Sequence, residues 1–167
     1  MTVSRPGVRV RALGVEDLGI FLDLVDALAD YERLARPDGA ARQRLAADAL
    51  SEPPRFFVLL AEVDDRVVGY AVYFFTYSTF LARPTLYLED LFVVPTARGH
   101  GAGLSLFRTC VAEALRQGCG RMEWQVLTWN APSIDFYARL GARRLDDWCA
   151  YRLDQAGLAA IAQPPDT

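Results

Sequence analysis

Alternating apolar and polar positions mark several short segments of this chain as β-strands. Alternation or a strongly β-prone composition predicts four strands, over residues 8–13, 55–63, 66–77 and 86–94. Asp64 and Asp65 form a typical hairpin connection between the second and third strands, and a loop that contains Pro84 precedes the fourth. The last three of these strands, over residues 55–63, 66–77 and 86–94, predict an antiparallel meander.

Apolar residues at helical spacing predict helices in the intervening parts of the chain. The predicted helices cover residues 15–34, 41–50, 131–140 and a segment from near Gly101 to near Gly118. Glu16 and Asp17 lie in the first turn of the first helix, where the helix dipole favours negative charge. Shorter strands are predicted over residues 122–128, 143–145 and 149–153, and the tail at 163–167, with its paired prolines, is expected to be frayed.

These elements together predict one α/β (α+β) domain over residues 1–167. Its sheet is expected to be mixed, mostly antiparallel and twisted, with about six or seven strands flanked by helices. The composition, 52% hydrophobic and 23% charged, is ordinary for a globular protein, and no apolar run is long enough for a membrane span. The first residues lack the features of a secretory signal, so we expect a cytoplasmic protein without a membrane partner.

The charged residues and the cysteines narrow the function classes further. A formal net charge of −3 argues against nucleic acid as a partner and is compatible with a small cationic substrate. Three cysteines and a single histidine favour neither a disulfide framework nor a metal site, and they assemble no Cys–His nucleophile. Residues 14–50 are locally acidic, which fits either a solvated helix face or a wall that attracts a cation.

A glycine-rich turn lies between the fourth strand and the following helix. Gly99, Gly101 and Gly103 lack a Cβ, so backbone N–H groups there are open to close approach, and a helix that begins near Gly101 adds its own unpaired amides. Arg98 contributes a positive charge at the entry to the turn. The spacing does not fit the dinucleotide fingerprint or the lysine-containing phosphate loop, but the turn still predicts an anion site for phosphate.

A second informative stretch, WNAPSIDFYARLGA, covers residues 129–142. Asn130 is placed to cap a helix, and Pro132 is tolerated in the first turn. From the residues alone, Tyr137 is more typical of a core aromatic whose hydroxyl finds a partner than of a catalytic group.

These two stretches resemble the GNAT superfamily of N-acetyltransferases. RGHGAG at 98–103 is similar to the R/Q-x-x-G-x-G/A pattern that binds the pyrophosphate of acetyl-CoA in that family. YLEDLFV at 87–93 and the stretch at 129–142 most resemble the diamine branch, which comprises the spermidine/spermine and thialysine N-acetyltransferases. The resemblance implies a GNAT fold, acetyl-CoA as cosubstrate, direct attack by a primary amine of a diamine, polyamine or lysine analogue, and a homodimer.

The resemblance also implies roles for individual residues. It assigns Glu89 as the acceptor of the amine proton and Tyr137 as the donor to the leaving thiolate. Acetyl-CoA is expected to contact Leu91, Phe92, Val93, Arg98, Gly99, His100, Gly101, Ala102, Gly103, Leu104, Asn130, Ala131, Pro132, Ser133 and Tyr137. The amine is expected to contact Tyr31, Glu32, Glu89, Glu123, Trp124 and Gln125.

Several alternatives remain open from the sequence. The alternative role for Glu89 is that of a hydrated structural carboxylate, and on a regular strand it and Asp90 would face opposite sides of the sheet. His100 replaces a common aromatic residue, and Cys149 falls where the polyamine branch keeps an acid, which argues against spermidine or spermine. A second hypothesis is that the acceptor is a protein lysine or N-terminus. A third hypothesis is that the protein is an acyl-CoA-binding regulator without turnover.

Overall fold

The computed structural model describes residues 7–162, which contain five strands and five helices. The strands are β1 Val8–Ala12, β2 Phe57–Val63, β3 Arg66–Ser78, β4 Arg83–Val93 and β5 Arg121–Glu123. The helices are α1 Leu18–Glu32, α2 Gly39–Ala49, α3 Ala102–Arg116, α4 Ala131–Arg139 and α5 Gln155–Ala162. These elements form two compact units that meet in sequence at Gln125: the first holds the sheet with α1 to α3, and the second holds α4 and α5.

The sheet of the first unit follows the order β1-β2-β3-β4-β5. Its first four strands are antiparallel neighbours, and β5 joins β4 in parallel, so the predicted meander and the mixed sheet are confirmed. Asp64 and Asp65 have φ angles of 49° and 58°, the left-handed values that a two-residue hairpin turn requires. Pro84 lies inside β4 rather than in a preceding loop, because its ring fits extended backbone near the start of a strand.

The two faces of the sheet pack against different helices. On one face, Phe21 and Leu24 of α1 form the apolar core with side chains of the sheet: Val58, Leu60, Tyr70, Val72 and Phe92. The other face packs against α3, whose Leu106 and Cys110 are fully buried. Tyr73 of β3 lies on this second side, near Glu113 and Cys110. The alternation of β3 therefore directs Tyr70 and Tyr73 to opposite helices.

The predicted strand count was wrong: the described sheet has five strands instead of six or seven. The strand expected over residues 122–128 ends at Glu123, and residues 143–145 and 149–153 form no strand. A strand needs a neighbouring edge and one buried face, whereas most of residues 140–154 are exposed, so their local β propensity has no ladder to join. The expected frayed tail at 163–167 lies outside the described residues.

No helix within residues 7–162 is long and apolar enough to cross a membrane.

The four predicted helices are confirmed with small changes at their ends. Residues 15–34 form a short 3₁₀ turn, Val15–Asp17, followed by α1, and the helix expected at 41–50 is α2. The helix after the glycine turn is α3, and the helix expected at 131–140 is α4.

Candidate functional site

A β-bulge in β4 determines on which side of the sheet Glu89 and Asp90 lie. Asp90 pairs with Val72 of β3, but Leu88 pairs with Tyr73, so Glu89 is an extra residue without a partner in the ladder. A bulge of this kind interrupts the alternation of the strand. Glu89 is consequently exposed to solvent, while Asp90 lies on the face that packs against α1.

Asp90 is a partly buried carboxylate with a single hydroxyl partner. The Tyr70 hydroxyl donates a hydrogen bond of 3.2 Å to Asp90 Oδ2, and the Tyr70 side chain itself is fully buried. Burial, followed by the negative charge of Glu89, raises the pKa of Asp90 to about 6, although the bond from Tyr70 opposes the change. The pKa of the Tyr70 phenol is itself raised by burial, so the hydroxyl keeps its proton and remains a donor.

The C-terminal end of α1 brings a third carboxylate to the same region. Burial raises the pKa of Glu32, and the charge of Glu32 contributes to the raised pKa of Asp90. None of Glu32, Glu89 and Asp90 forms an ion pair with an arginine in the part of the chain that the structure describes. We call these three residues the acidic cluster. Its uncompensated charge favours a cationic ligand.

Arg98 connects the glycine turn to α1. Its guanidinium carbon lies 4.6 Å from the ring centroid of Tyr31 and 5.8 Å from that of Phe92. The Tyr31 and Phe92 rings are themselves 6.2 Å apart. Tyr31, expected in the amine site, and Arg98, expected in the cofactor site, are therefore in direct cation–π contact.

The glycine turn has the geometry of an anion site. Gly99 and Gly101 have φ angles of 84° and 89°, and a Cβ built on either would meet no atom within 4 Å, so the space above the turn is open. Gly101 begins α3 without a side-chain cap, and no acidic residue occupies the first turn of that helix. The amides of Ala102, Gly103 and Leu104 therefore lie in the uncapped first turn, where an anion binds well.

The side chains at this turn have local partners. Arg98 Nε donates to the Val93 carbonyl at 2.9 Å, which fixes the arginine against the end of β4. His100 is exposed, and its Nδ1 lies 3.4 Å from the Ala97 carbonyl. The side chains of Arg98 and His100 therefore lie against carbonyl groups of the chain itself.

The edge of β4 is open where the strand approaches the turn. The β4–β5 ladder covers only residues 85–87 of β4, so within the described sheet residues 88–93 lack a strand on that side. Phe92 points its side chain into the core, and Leu91 lies on the other face. The backbone along residues 91–93 can therefore accept an extended ligand as a further strand.

The other three residues expected in the amine site, Glu123, Trp124 and Gln125, lie at the end of β5 and directly after it. Glu123 pairs with Arg121, with 2.9 Å between Oε1 and Nε. The Trp124 ring packs edge-on against Phe107 of α3, with centroids 5.5 Å apart, and Gln125 is exposed.

The second unit contains the remaining predicted residues. Asn130 is buried, and its side chain accepts a hydrogen bond of 3.3 Å from the Ser133 amide, which confirms it as the N-cap of α4. Ala131 and Pro132 follow on the exposed surface of the first turn. Tyr137 is half-buried, with its ring centroid 5.1 Å from that of Phe136.

Sequence reasoning missed the hydrogen bond between Tyr70 and Asp90. Asp90 was considered only as the neighbour of Glu89, and Tyr70 lies in a continuous apolar run, where a core position is the usual interpretation. Only the pairing register, including the bulge, brings these two residues together. The adjacent acids in an otherwise apolar strand were the one available signal.

Comparisons with known proteins identify the family of the chain and relatives of its fold. The sequence pattern of the acetyltransferase (GNAT) family matches residues 21–142. The thialysine N-epsilon-acetyltransferase of Sus scrofa is 34% identical over 166 residues, covering 93% of this chain and 97% of that protein. The spermidine/spermine N(1)-acetyltransferase-like protein 1 of Homo sapiens is 29% identical over 164 residues, covering 92% of this chain and 24% of that protein. Among solved structures, an aminoglycoside N-acetyltransferase in complex with CoA shares the fold, with a TM-score of 0.76 and 18% identity over 92% of this chain and 99% of that one.

Proposed function

The chain belongs to the acetyltransferase (GNAT) family and is an acetyl-CoA-dependent N-acetyltransferase, and we propose that its acceptor is a primary amine of a small cationic substrate. The proposed substrates are diamines, polyamines and lysine analogues such as thialysine. The observation that carries this proposal is the acidic cluster of Glu32, Glu89 and Asp90, which lacks an arginine partner among the described residues. The similarity to thialysine and spermidine/spermine enzymes supports the same class.

The charge balance of the cluster explains why a cation would bind there. Desolvation disfavours the ionised form of a buried carboxylate, and nearby like charges add to the cost. An ammonium group from the substrate offsets both effects when it binds. The structure keeps Asp90 and Glu32 partly buried, with raised pKa values, beside the exposed Glu89.

Acetyl-CoA supplies the activated acetyl group, and the residues present fit it. The uncapped start of α3 and the open turn at Gly99 and Gly101 would bind its phosphates. The open edge of β4 at Leu91, Phe92 and Val93 would accept the extended arm through backbone groups. In the second unit, we assign Asn130, Ala131, Pro132 and Ser133 to the same ligand on the strength of the family resemblance.

Two residues would handle protons. Alkyl amines with a pKa of about 10 are charged at pH 7, so the attacking nitrogen must first lose a proton. Glu89 is exposed at the bulge, where it can accept that proton through water. The Tyr137 hydroxyl would provide a proton to the departing sulfur, and backbone amides near Leu91 would polarise the carbonyl under attack.

CoA release with a panel of acceptors tests the proposal. The panel contains thialysine, lysine, putrescine, spermidine and a lysine peptide, each with wild type, Glu89→Gln and Tyr137→Phe. The sequence contains 18 arginines and no lysine, so no lysine of the enzyme competes as an acceptor. We expect turnover of a small amine, reduced at least tenfold in both variants.

Other outcomes assign a different function. Faster turnover of the peptide than of every small amine would make the enzyme a protein acetyltransferase. Tight acetyl-CoA binding without release of CoA for any amine would contradict the proposal and favour a regulator. Full activity of Glu89→Gln would remove the proposed role of that residue.

We also propose the assembly and organisation that the resemblance implies. The chain would act as a homodimer and as one domain over residues 1–167, since the family pattern spans the boundary between the two compact units. A cytoplasmic location and the absence of a nucleic-acid partner stay predictions. Sedimentation of the purified chain at the mass of a monomer would contradict the dimer.

A further inference from the structure

We propose that Tyr70 is a positioning residue, whose hydroxyl holds the Asp90 carboxylate in place as the group that binds the ammonium form of the acceptor amine. This inference rests on the proposed function for the identity of the ligand. Its structural basis is a single, partly buried hydrogen bond between two residues that are 20 positions apart in sequence.

The location of Tyr70 makes its hydroxyl a fixed donor. The ring is fully buried between α1 and the sheet, with Phe21 at 5.5 Å edge-on and Phe92 at 6.4 Å. A ring held on two sides has little rotational freedom, so its hydroxyl is directed at one point. That point is Oδ2 of Asp90, on the neighbouring strand.

Asp90 needs such a partner because the bulge removes regular support. Glu89 interrupts the ladder immediately before Asp90. No arginine within residues 7–162 pairs with Asp90, and the hydroxyl of Tyr70 is the hydrogen-bond partner of its carboxylate. Without the Tyr70 hydroxyl, only packing would limit the rotation of the Asp90 carboxylate.

The charged and titratable groups around Asp90 act in opposite directions. Glu89 of β4 and Glu32 of α1 raise its pKa, and the hydrogen bond from Tyr70 of β3 lowers it. Arg98, at the glycine turn, faces the Tyr31 and Phe92 rings that line the same side. By lowering the pKa of Asp90, the Tyr70 hydroxyl keeps the carboxylate ionised at neutral pH. A cationic amine requires Asp90 in this ionised form.

Tyr70→Phe tests the proposal, with Tyr73→Phe as the matched control. Both substitutions remove the hydroxyl of a buried tyrosine on β3, but Tyr73 faces α3 and has no bond to Asp90. For Tyr70→Phe we expect the KM for the amine to rise about tenfold near pH 7, because a hydrogen bond to a charged group is lost. The kcat and the KM for acetyl-CoA should stay at wild-type values, as should all constants of Tyr73→Phe.

The pH profile separates positioning from a general packing defect. In wild type, kcat/KM for the amine should fall below about pH 6, where Asp90 becomes protonated. In Tyr70→Phe this acid limb should move about one pH unit higher, since the bond that lowers the pKa is gone. In an Asp90→Asn background, Tyr70→Phe should have no further effect on the KM for the amine.

A measurement without substrate distinguishes this proposal from the proposed function. The carboxyl carbon of Asp90, assigned by its absence in Asp90→Asn, is titrated by NMR in wild type and in Tyr70→Phe. A higher pKa in Tyr70→Phe together with no amine turnover would support the hydrogen bond as described and overturn only the ligand. An unchanged pKa, or an equal loss of activity in Tyr73→Phe, would overturn the positioning role.

Discussion

Asp17 and Asp90 are two sheltered carboxylates with opposite surroundings. Asp17, at the start of α1, accepts hydrogen bonds from Arg11 Nη1 and Nη2 at 2.5 and 2.8 Å and from the Gly14 amide at 2.8 Å. These bonds hold its pKa at about 2, whereas burial raises the pKa of Asp90 to about 6. Asp17 is paired with a cation within the fold, whereas Asp90 has no arginine partner among the described residues.

If Asp90 binds the amine as proposed, the difference separates a charge that is paired within the fold from one that is paired by a ligand. Burying a charge is costly unless it is paired, so a fold that lacks a functional reason to do otherwise supplies a partner. Asp17 has that partner on β1, in Arg11, which also pairs with Glu62 at 2.7 Å. Asp90 has a neutral hydroxyl instead, which orients the carboxylate without cancelling its charge.

The largest expected effect is on stability at Asp17. Asp17→Asn should lower the free energy of unfolding by about 2–3 kcal/mol, because Arg11 loses a bidentate, buried partner. Urea unfolding at pH 7 measures it. Asp30→Asn is the matched control: Asp30 also binds an arginine through two bonds, to Arg36, but on the exposed surface, so its substitution should change the free energy of unfolding far less. Equal effects at the two positions would show that burial does not strengthen the pair.

Asp90→Asn should act on stability in the opposite direction. Removing a desolvated charge should raise the free energy of unfolding at pH 8 by about 1–2 kcal/mol. The same variant should lose at least about tenfold in kcat/KM for the amine, because the ammonium group loses its counter-charge. Paired unfolding and rate measurements check this; a variant that is both less stable and fully active would contradict the comparison.

The pH dependence should also differ in sign. The pKa of Asp17 is lowered from 3.8 to about 2, so its contribution is complete above about pH 4 and is lost as the pH falls through 2. The pKa of Asp90 is raised from 3.8 to about 6, so its ionisation costs the folded state nothing below about pH 4 and the full amount above 6. In urea titrations between pH 4 and 8, the deficit of Asp17→Asn should stay constant, while the gain of Asp90→Asn should shrink toward zero at pH 4. A gain that grows on acidification would reverse our assignment.

The smallest expected effect is at Glu32, which contributes charge to the cluster from α1. Glu32→Gln should raise the KM for the amine about two- to threefold, because a partly exposed charge is screened by solvent. It should also move the acid limb of kcat/KM slightly to lower pH, since the negative charge of Glu32 raises the pKa of Asp90. Steady-state kinetics at several pH values would check both, with Glu16→Gln, at the other end of the α1 region, as the control.

The local backbone geometry of the candidate site was predictable because it depends on short-range features. The glycine turn, the uncapped start of α3 and the Asn130 cap each involve only a few adjacent residues. Their left-handed φ angles and capping bonds follow from local backbone chemistry. The hairpin at Asp64 and Asp65 was predictable for the same reason.

Long-range contacts were not predictable in this way. The strand over residues 149–153 was expected from β propensity, but a strand exists only where an edge receives it. The contact of Arg98 with Tyr31 depends on how the end of α1 meets the turn, which no motif specifies. The predicted roles of Glu123 and Trp124 depend on the same kind of long-range placement.

The sequence by itself determined where the chain turns, where its helices begin and which backbone groups are open to an anion, because those properties depend on neighbouring residues. Tertiary structure alone decided which acidic residue is sheltered. A one-residue bulge at Glu89 determined on which face of the sheet Asp90 lies. The register of β3 against β4 placed the Tyr70 hydroxyl within hydrogen-bond distance of Asp90. Pairing register is a property of two strands together, so neither strand's residues reveal it alone.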